Sequence, residues 1–423
     1  MRYLFKNVNI HTPDGEKRRD LVFLNGQPVF EAEAGQHPSL IPVSGHDLHL
    51  FPGFTDVHVH LREPGFSYKE TILTGTRAAA RGGFTTALAM PNLNPVPDSP
   101  DSLRVQMEMI RKQAVVRVLP LGAVTRGQQG RELADLAGMA PFVAAFSDDG
   151  RGVQDCALMK EAMRRCARLN RIIAAHCEDD SLTGGGWVHD GEWARAHGHR
   201  GIPSESEWRQ VDRDLKLAQQ TACPYHICHV STKESVDLIR RAKAQGVDVT
   251  CETAPHYLLL DDSRLMDQGR FKMNPPIRSA ADREALLLGL QDGTIDVVAT
   301  DHAPHSAEEK AGGLRYSMNG IVGLETAFAV LYTGLVRTGL ISLKRLLDAM
   351  VYRPNARFGI RAARDWALFD LGVRDTVRPE DFLSKGRATP FEGSPVYGKC
   401  LLSVHEGQTA WVDGTIQAPE EQA

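Results

Sequence analysis

The segment FTDVHVH, residues 54–60, decides the fold class of this chain. Its apolar, β-branched residues are typical of a buried strand, and the strand period of two places His58 and His60 on the same side. Seven further runs of the same kind follow it along the chain. They are FTTALAM (84–90), VVRVLPL (115–121), FVAAFS (142–147), RIIAAH (171–176), PYHICH (224–229), VDVTCE (247–252) and IDVVAT (295–300).

Amphipathic stretches of helical period separate these runs. The main helix candidates are Tyr68–Arg81, Leu103–Gln113, Gln154–Leu169, Glu205–Thr221, Lys233–Gln245 and Ala281–Leu290. Strands that alternate with helices predict βαβ units and a parallel sheet. Eight such units over about 250 residues fit a closed barrel better than an open doubly wound sheet, and no glycine-rich dinucleotide motif follows the first strand. We therefore predict an α/β fold with a (β/α)8 TIM-like barrel over residues 53–362.

Both ends of the chain read as short extended segments broken by turn residues such as Pro13-Asp14-Gly15. Near the carboxyl end these segments are Val396–Leu402, Ser403–Glu406 and Ala410–Val412. The pattern predicts a small β-rich satellite domain that both termini form together, from residues 1–52 and 363–423. The alternative is that the two ends are unrelated surface extensions.

Bulk composition narrows the function classes. The chain has 423 residues, of which 42% are hydrophobic and 24% charged, which is ordinary for a globular protein. A formal net charge of -4 without a basic stripe argues against a nucleic-acid partner. The amino-terminal MRYLFKNVNI lacks the features of a signal peptide, and no apolar run reaches membrane-spanning length. Seven scattered cysteines without a CxxC pair indicate a reducing compartment, so we predict a cytoplasmic protein.

The ends of five predicted strands carry residue types that bind metals. Besides the two histidines of the first strand, they are Asp148-Asp149, His176, His229 and Asp301. Each alone has an ordinary explanation, since a histidine can be a hydrogen-bonded structural residue and an aspartate before glycine often only makes a turn. Catalytic residues of such barrels lie at the carboxyl ends of the strands, so these side chains meet at one face. Four imidazoles and two carboxylates would be costly to bury together there without metal.

Six ligands are too many for a single tetrahedral zinc ion, whereas two metals that share a carboxylate accommodate them. His58, His60 and Asp301 would hold one metal, His176 and His229 would hold the other, and a residue of the fourth strand would bridge them. Nitrogen and oxygen ligands without thiolate favour zinc, although cobalt or manganese could replace it. Such a pair can generate a bridging hydroxide nucleophile, with Asp301 as a proton shuttle.

These motifs together resemble a known family. DVHVHLREPG (56–65), MPN (90–92), AFSDDGRGVQ (145–154), HVST (229–232), KMNPPIR (272–278), ATDHAPH (299–305) and SKGRATPFEG (384–393) are similar to the motifs of class I dihydroorotase, a member of the amidohydrolase superfamily. The resemblance covers nearly the full length. It implies the reversible cyclisation of N-carbamoyl-L-aspartate to L-dihydroorotate in de novo pyrimidine (UMP) biosynthesis, with two Zn²⁺ ions per chain.

The resemblance also implies roles for individual residues. It assigns the metal ligands as above and places the bridge at Asp149, where many relatives carry a carboxylated lysine that this chain lacks. The adjacent Asp148 is the alternative bridge. The residues that it implies for substrate binding are Arg62, Asn92, Asn274 and His305. A guanidinium suits this dicarboxylate substrate because it binds carboxylate bidentately.

Some of these assignments have alternatives. Arg62 could instead pair with Glu63 or Glu70, and Asn92 could simply begin a turn. The loop after the eighth strand departs from the family pattern Ala-Pro-Phe-Gly, because this chain has SMNG at 317–320. His226 and His256 match no ligand motif, so we interpret both as structural residues. The alternative for His256 is a contact that supports a metal ligand.

Two other functions compete with this interpretation. Another cyclic amidohydrolase of the allantoinase or hydantoinase type usually has the lysine bridge and lacks the arginine, so Arg62 and Asp149 argue against it. A non-catalytic homologue that serves as a scaffold for aspartate transcarbamoylase would typically lack metal ligands, and none is missing here. The resemblance implies a small-molecule substrate, a homodimer and an association with aspartate transcarbamoylase.

Overall fold

The computed structural model describes residues 3–24, 27–30, 41–43 and 45–416. All eight predicted barrel runs contain a strand. The first to eighth barrel strands are Phe54–Val59, Phe84–Ala89, Arg117–Pro120, Ala145–Phe146, Ile172–Ala175, Tyr225–Ile227, Val249–Thr253 and Val297–Val298. The prediction of eight parallel strands is therefore confirmed.

The eight strands form a closed barrel. The first three pair in parallel with one another, and so do the last five. Parallel bridges close the two seams: Gly122 pairs with Phe146 between the third and fourth strands, and Val59 pairs with His302 between the first and the end of the eighth. All carboxyl ends consequently open on the same face, which is where barrel enzymes place their chemistry.

Helices cover the outside of the barrel. The six predicted helices lie at Ile72–Arg81, Pro100–Gln113, Cys156–Arg168, Glu205–Thr221, Lys233–Ala244 and Ala280–Asp292, and further helices lie at Ala327–Leu331, Leu343–Leu347 and Arg353–Phe358. The first begins at Ile72 rather than at Tyr68 as predicted, because the side chain of Thr71 caps it by accepting from the amide N–H of Thr74.

The interior of the barrel is filled by small and medium apolar side chains from the strands. This cluster consists of Val57, Leu88, Met90, Leu121, Ala145, Ile172, Ala174, Cys228, Val297 and Ala299. Because it is a packed core rather than a pore, polar chemistry is confined to the mouth above it. A larger apolar cluster packs the helices against the outer face of the strands.

Both ends of the chain contribute strands to one sheet, as predicted. In sheet order its strands are Gln408–Val412, Pro395–His405, Trp366–Thr376, Leu48–Pro52, Tyr3–Thr12, Gly15–Leu24 and Gln27–Phe30, and Ile41–Val43 also pairs with Tyr3–Thr12. The ends meet where Leu48–Pro52 pairs antiparallel with Trp366–Thr376, a strand absent from the sequence-based expectation. The exact domain boundaries stay a prediction, and residues 417–423 of the predicted carboxyl-terminal part lie outside the described residues.

Gly53 joins the satellite sheet to the barrel directly. It separates Leu48–Pro52 from the first barrel strand, and a Cβ atom there would lie 2.1 Å from Oγ1 of Thr85, so only glycine fits. Buried aromatic rings pack around this junction, with the ring of Phe54 5.2 Å from that of Phe328 and 5.4 Å from that of Phe369. Among the described residues, no helix is long and apolar enough to cross a membrane.

Candidate metal centre

A polar cavity of about 610 Å³ opens at the carboxyl ends of the barrel strands. Its wall contains His60, His176, His229, Asp149 and Asp301, together with all four residues that the sequence suggested for substrate binding. Its cationic side chains are Arg62, Lys69, Arg151, Lys272 and Arg315. Since Asp149 and Asp301 are the only carboxylates among the lining residues described, the cavity suits an anionic ligand.

Four imidazoles converge on the carboxylate of Asp149. Its Oδ1 lies 3.3 Å from Nε2 of His58, 3.5 Å from Nε2 of His229 and 3.8 Å from Nδ1 of His176. Its Oδ2 lies 3.5 Å from Nε2 of His60. Asp149 therefore sits between the two pairs of histidines, where a ligand shared by two metals would have to be.

Asp301 lies beside the first pair of histidines. Its Oδ1 is 3.1 Å from Nε2 of His60 and 3.5 Å from Nε2 of His58. On the other side of the centre, Nδ1 of His176 is 2.9 Å from Nε2 of His229. The structure thus brings together all six residues that the sequence suggested as metal ligands.

Neighbouring groups hold the second ring nitrogen of three of these histidines. Nδ1 of His58 lies 2.7 Å from Oε1 of Glu252, Nδ1 of His60 lies 2.8 Å from Oδ1 of Asn92, and Nε2 of His176 lies 3.5 Å from Oε2 of Glu178. Carbonyl and carboxylate oxygens accept hydrogen bonds, so each of these nitrogens carries the proton. In a neutral ring, the nitrogen that faces the centre then keeps a lone pair, as in metal-binding histidines.

The buried atoms of the centre fit a bound cation. Nε2 of His58 and Oδ1 of Asp149 face each other but make no hydrogen bond among the described residues. A lone pair opposite a carboxylate oxygen is unfavourable in a buried site unless a positive charge lies between them. The ligand atoms of His58, His60 and Asp149 lie within 4.8 Å of one another, and so do those of Asp149, His176 and His229. These two overlapping groups could hold two metal ions.

The two candidate bridging aspartates have different surroundings. Oδ1 of Asp148 accepts hydrogen bonds from the backbone N–H groups of Val124 and Thr125, and its Oδ2 accepts one from the Thr125 hydroxyl. These bonds turn Asp148 away from the histidines. The carboxylate of Asp149 faces all four imidazoles, so the geometry favours Asp149 as the shared ligand.

Three residues of the site have an unusual backbone conformation. Arg62, His229 and Asp301 have positive φ angles of 62°, 33° and 48°. Side chains other than glycine rarely adopt this region, and such residues concentrate at functional sites, where the surrounding structure imposes the conformation. Each follows or ends a barrel strand, so the backbone turns sharply where it presents these side chains.

Arg62 and His305 form one edge of the cavity. Nε of Arg62 donates to the carbonyl oxygen of Pro304 at 3.2 Å, and its Nη2 lies 3.3 Å from Nε2 of His305. That Nε2 must carry a proton, because it lies 2.8 Å from the carbonyl oxygen of Asn319. The N–H of His305 is thus directed at Asn319, and Arg62 is the donor that this edge of the cavity offers to a carboxylate.

The alternative partners of Arg62 are engaged elsewhere. Glu63 accepts from the backbone N–H of Ile72, and Glu70 lies near His302 and accepts from the hydroxyl of Ser384. No ion pair joins either carboxylate to Arg62 among the described residues. The guanidinium is thus buried and directed at the cavity rather than consumed by a surface ion pair.

The two asparagines line the cavity with different connections. Asn92 contacts His60, so it supports a metal ligand as well as facing the cavity. Nδ2 of Asn274 donates to Oε2 of Glu178 at 2.9 Å, while its buried Oδ1 has no hydrogen-bond partner among the described residues. An unsatisfied buried acceptor beside the cavity suits a ligand that carries N–H groups.

The other two histidines near strand ends, His226 and His256, do not line this cavity. His226 contacts Thr250 through Nδ1 and Glu252 through Nε2, so it belongs to the support of His58. His256 is buried against Tyr257, and its Nε2 has no hydrogen-bond partner among the described residues. Burial lowers the pKa of His256 to about 4, so the ring is neutral at pH 7.

Electrostatics keep both aspartates ionised. Burial alone would raise the pKa of Asp301, but His58 and His60 beside it bring the pKa below its ordinary value. Burial would also raise the pKa of Asp149, and His58 again reverses the effect, so this pKa lies well below its ordinary value. Both groups are therefore carboxylates at neutral pH, able to bind cations or accept a proton.

Several residues of the site escaped the sequence-based list. Glu252 ends the seventh predicted run, and Glu178 follows His176 by two residues, so strand-end position could have indicated both. Lys69 lies 3.2 Å from Nδ1 of His305 and pairs with Glu309 at 2.8 Å. No local pattern links Lys69 to residues more than 230 positions away.

Residues 48–235 match the family described as Dihydro-orotase-like. The chain is 50% identical to the dihydroorotase of Fusobacterium nucleatum subsp. nucleatum over 369 residues, and the alignment covers 85% of this chain and 87% of that protein. The chain is also 47% identical to the dihydroorotase of Bacillus caldolyticus over 422 residues, and this alignment covers 97% of this chain and 98% of that protein.

Solved structures share the fold. The L-hydantoinase (dihydropyrimidinase) of Arthrobacter aurescens aligns with a TM-score of 0.84 at 24% identity, over 98% of this chain and 97% of that one. The dihydropyrimidinase of Brevibacillus agri NCHU1002 aligns with a TM-score of 0.81 at 23% identity, over 97% and 95%. At this level of identity the likeness concerns architecture alone, a TIM barrel with a satellite sheet.

Proposed function

The chain belongs to the dihydroorotase family of the amidohydrolase superfamily, and we propose that its metal centre and Asp301 carry out the reversible cyclisation of N-carbamoyl-L-aspartate to L-dihydroorotate. Identity near one half over most of the chain makes it a metal-dependent cyclic amide hydrolase, a dihydroorotase of pyrimidine biosynthesis. The observation that carries the residue assignment is the convergence of four imidazoles on one buried carboxylate, beside a second carboxylate.

We assign two zinc ions to this centre. His58, His60 and Asp301 would hold one ion, His176 and His229 the other, with Asp149 shared between them. When bound, divalent ions at this place polarise a carbonyl group and make water nucleophilic at neutral pH. All six proposed ligands are nitrogen or oxygen donors, which supports zinc over softer metals.

Asp301 handles the proton. In ring opening, its carboxylate accepts a proton from the water that adds to the ring carbonyl carbon. The bond between that carbon and the ring nitrogen then breaks, and Asp301 returns the proton to the departing nitrogen. Ring closure follows the same path in reverse. An ionised Asp301 is required at the start of ring opening, which agrees with its lowered pKa.

Arg62 and His305 bind the carboxylate that the substrate keeps in both its open and cyclic forms. The guanidinium of Arg62 can donate to that carboxylate, and His305 lies beside it, with Nε2 3.3 Å from Nη2 of Arg62. The N–H of His305 reaches a carboxylate only in place of the Asn319 carbonyl, from which it is 2.8 Å away. Asn274 offers a free carbonyl oxygen for an N–H group of the substrate. Asn92 lies at the cavity wall beside His60, where it can contact the substrate near the reacting bond.

A substrate panel tests this assignment. Purified protein supplied with zinc should open L-dihydroorotate and close N-carbamoyl-L-aspartate, while hydantoin and allantoin turn over at least roughly a hundredfold more slowly, because they lack the carboxylate that Arg62 and His305 bind. Faster turnover of hydantoin or allantoin than of L-dihydroorotate would contradict the assignment.

The family resemblance supports two proposals about assembly. We propose that the chain forms a homodimer and associates with aspartate transcarbamoylase. Light scattering during size-exclusion chromatography tests both, first with the protein alone and then with an equimolar amount of the transcarbamoylase from the same source. A monomer, or two separate peaks in the mixture, would contradict the corresponding proposal.

A further inference from the structure

Lys310 is a partly buried lysine near the cavity that the proposed mechanism does not use. It ends the short helix Ala307–Lys310 that follows the eighth barrel strand. Its ammonium group donates to the carbonyl oxygens of Lys272 at 2.9 Å, Met318 at 2.7 Å and Gly320 at 2.6 Å. An ammonium has three N–H donors, so backbone carbonyl oxygens accept from all of them. No carboxylate lies within ion-pair distance of it among the described residues.

The three carbonyl groups belong to two segments of the cavity wall. Lys272 precedes the substrate-binding candidate Asn274 by two residues, and both side chains line the cavity. Met318 and Gly320 flank Asn319 in the loop that departs from the family pattern. The backbone N–H of Gly320 also donates to the carbonyl oxygen of Lys272 at 3.0 Å, so the two segments are joined at this point.

The backbone of Asn319 controls the orientation of His305. Its carbonyl oxygen lies 2.8 Å from Nε2 of His305, which fixes the proton on Nε2. Nδ1 lies 3.2 Å from the ammonium of Lys69 and 3.2 Å from Oε2 of Glu309. Burial and the nearby cations Arg62 and Lys69 lower the pKa of His305 to about 3, so the ring is neutral at neutral pH.

We propose that Lys310 is a positioning residue for the substrate carboxylate, because it fixes the Asn319 carbonyl that orients His305 toward Arg62. The inference rests on the proposed function of the cavity. Lys310 itself does not line the cavity, so it acts through the 317–320 loop and the segment before Asn274. A fixed loop keeps His305 beside Arg62 before the substrate arrives, which lowers the entropic cost of binding.

Steady-state kinetics of three variants test this proposal. Lys310→Met keeps the length of the side chain and removes all three donors, whereas Lys310→Arg keeps a cation that can still donate. Lys112→Met is the matched control, because Lys112 is exposed on the outer helix Pro100–Gln113. We expect Lys310→Met to raise KM for L-dihydroorotate about tenfold and to change kcat less than about threefold, since binding is lost equally from ground and transition states.

Three further readouts separate positioning from general damage. The zinc content of Lys310→Met should equal that of the wild type, Lys310→Arg should recover part of the lost affinity, and Lys112→Met should leave KM and kcat unchanged. Hydrogen exchange of peptides covering 315–322 should become faster in Lys310→Met and stay unchanged in Lys112→Met, because the loop has lost its tether.

The outcomes distinguish this inference from the proposed function. A wild-type protein that fails to open L-dihydroorotate would count against the proposed function. Wild-type turnover with an unchanged KM in Lys310→Met would overturn the role of Lys310 alone. A joint loss of kcat and zinc content in Lys310→Met would also overturn it, because the lysine would then maintain the metal centre.

Discussion

Substitution of Glu252 by glutamine tests whether this carboxylate strengthens the proposed metal ligand His58. Oε1 of Glu252 lies 2.7 Å from Nδ1 of His58 and accepts from the backbone N–H of His229 at 3.2 Å, while Oε2 lies 3.1 Å from Nε2 of His226. The carboxylate is thus buried and serves three groups at once. Glutamine keeps the shape but removes the charge and one of the two acceptors.

The expected effect follows from these contacts. If the amide oxygen faces His58, the amide NH₂ group faces His226, which can accept from it by moving its own proton to Nδ1 beside the hydroxyl of Thr250. The fold should therefore persist. Without the negative charge, the imidazole of His58 is a weaker ligand, and loss of such a contact lowers metal affinity roughly tenfold to a hundredfold, or about 1.4–2.7 kcal/mol.

Chelator competition measures this change directly. Zinc-loaded wild type and Glu252→Gln are titrated with a chelator of known affinity, and the retained zinc is followed alongside the rate of L-dihydroorotate opening. Glu325→Gln is the control, since Glu325 accepts from the backbone N–H groups of Leu383 and Ser384 away from the centre. Equal zinc affinity in wild type and Glu252→Gln would refute the view that this carboxylate strengthens His58 as a ligand.

Three other changes probe the catalytic, binding and titration behaviour. Asp301→Asn should lower turnover in both directions by at least roughly a hundredfold, because the proton acceptor is lost, and a residual rate near that of the wild type would argue against the shuttle. Arg62→Met should raise KM for L-dihydroorotate roughly tenfold to a hundredfold, because a charged hydrogen bond to the carboxylate disappears; an unchanged KM would mean that Arg62 does not bind it. Burial and the neighbouring His49 lower the pKa of His11 from 6.5 to about 4, so the unfolded chain binds a proton there between pH 6.5 and 4 while the folded chain does not. The free energy of unfolding therefore falls as the pH falls through that window. Urea unfolding of the metal-free protein at pH 7 and at pH 4.5 measures this decrease, which should be about 1–2 kcal/mol smaller in His11→Asn than in the wild type. Equal losses would show that His11 does not titrate in this way.

The repeated pattern of the barrel made the architecture predictable from sequence. The fourth and eighth barrel strands are only Ala145–Phe146 and Val297–Val298, yet each lies in a run whose apolar residues must be buried. The strand Trp366–Thr376 went unpredicted because its second half is largely polar and partly exposed, so periodicity identifies only the half that packs against Leu48–Pro52. Its position depends on pairing with a segment more than 300 residues away.

The proposed metal ligands were predictable from the sequence because they lie at the ends of predicted strands. Position alone could not distinguish Asp148 from Asp149, since both follow the fourth strand directly, and only the backbone donors of Val124 and Thr125 separate them in space. The residues that support the site are brought together only by contacts between distant parts of the chain. Lys310 illustrates this, because its role arises from three carbonyl groups that the fold places around one ammonium.

Metal reconstitution tests whether ring opening depends on the metal centre. Protein freed of metal with a chelator is titrated with zinc while the opening of L-dihydroorotate is followed. We predict no measurable turnover in the metal-free protein and a return of activity that is complete at two equivalents per chain. The reason is that five clustered residues form two overlapping groups that share Asp149, with Asp301 beside the first group. Ring opening that continues undiminished after all metal has been removed would contradict a metal-dependent reaction at this centre.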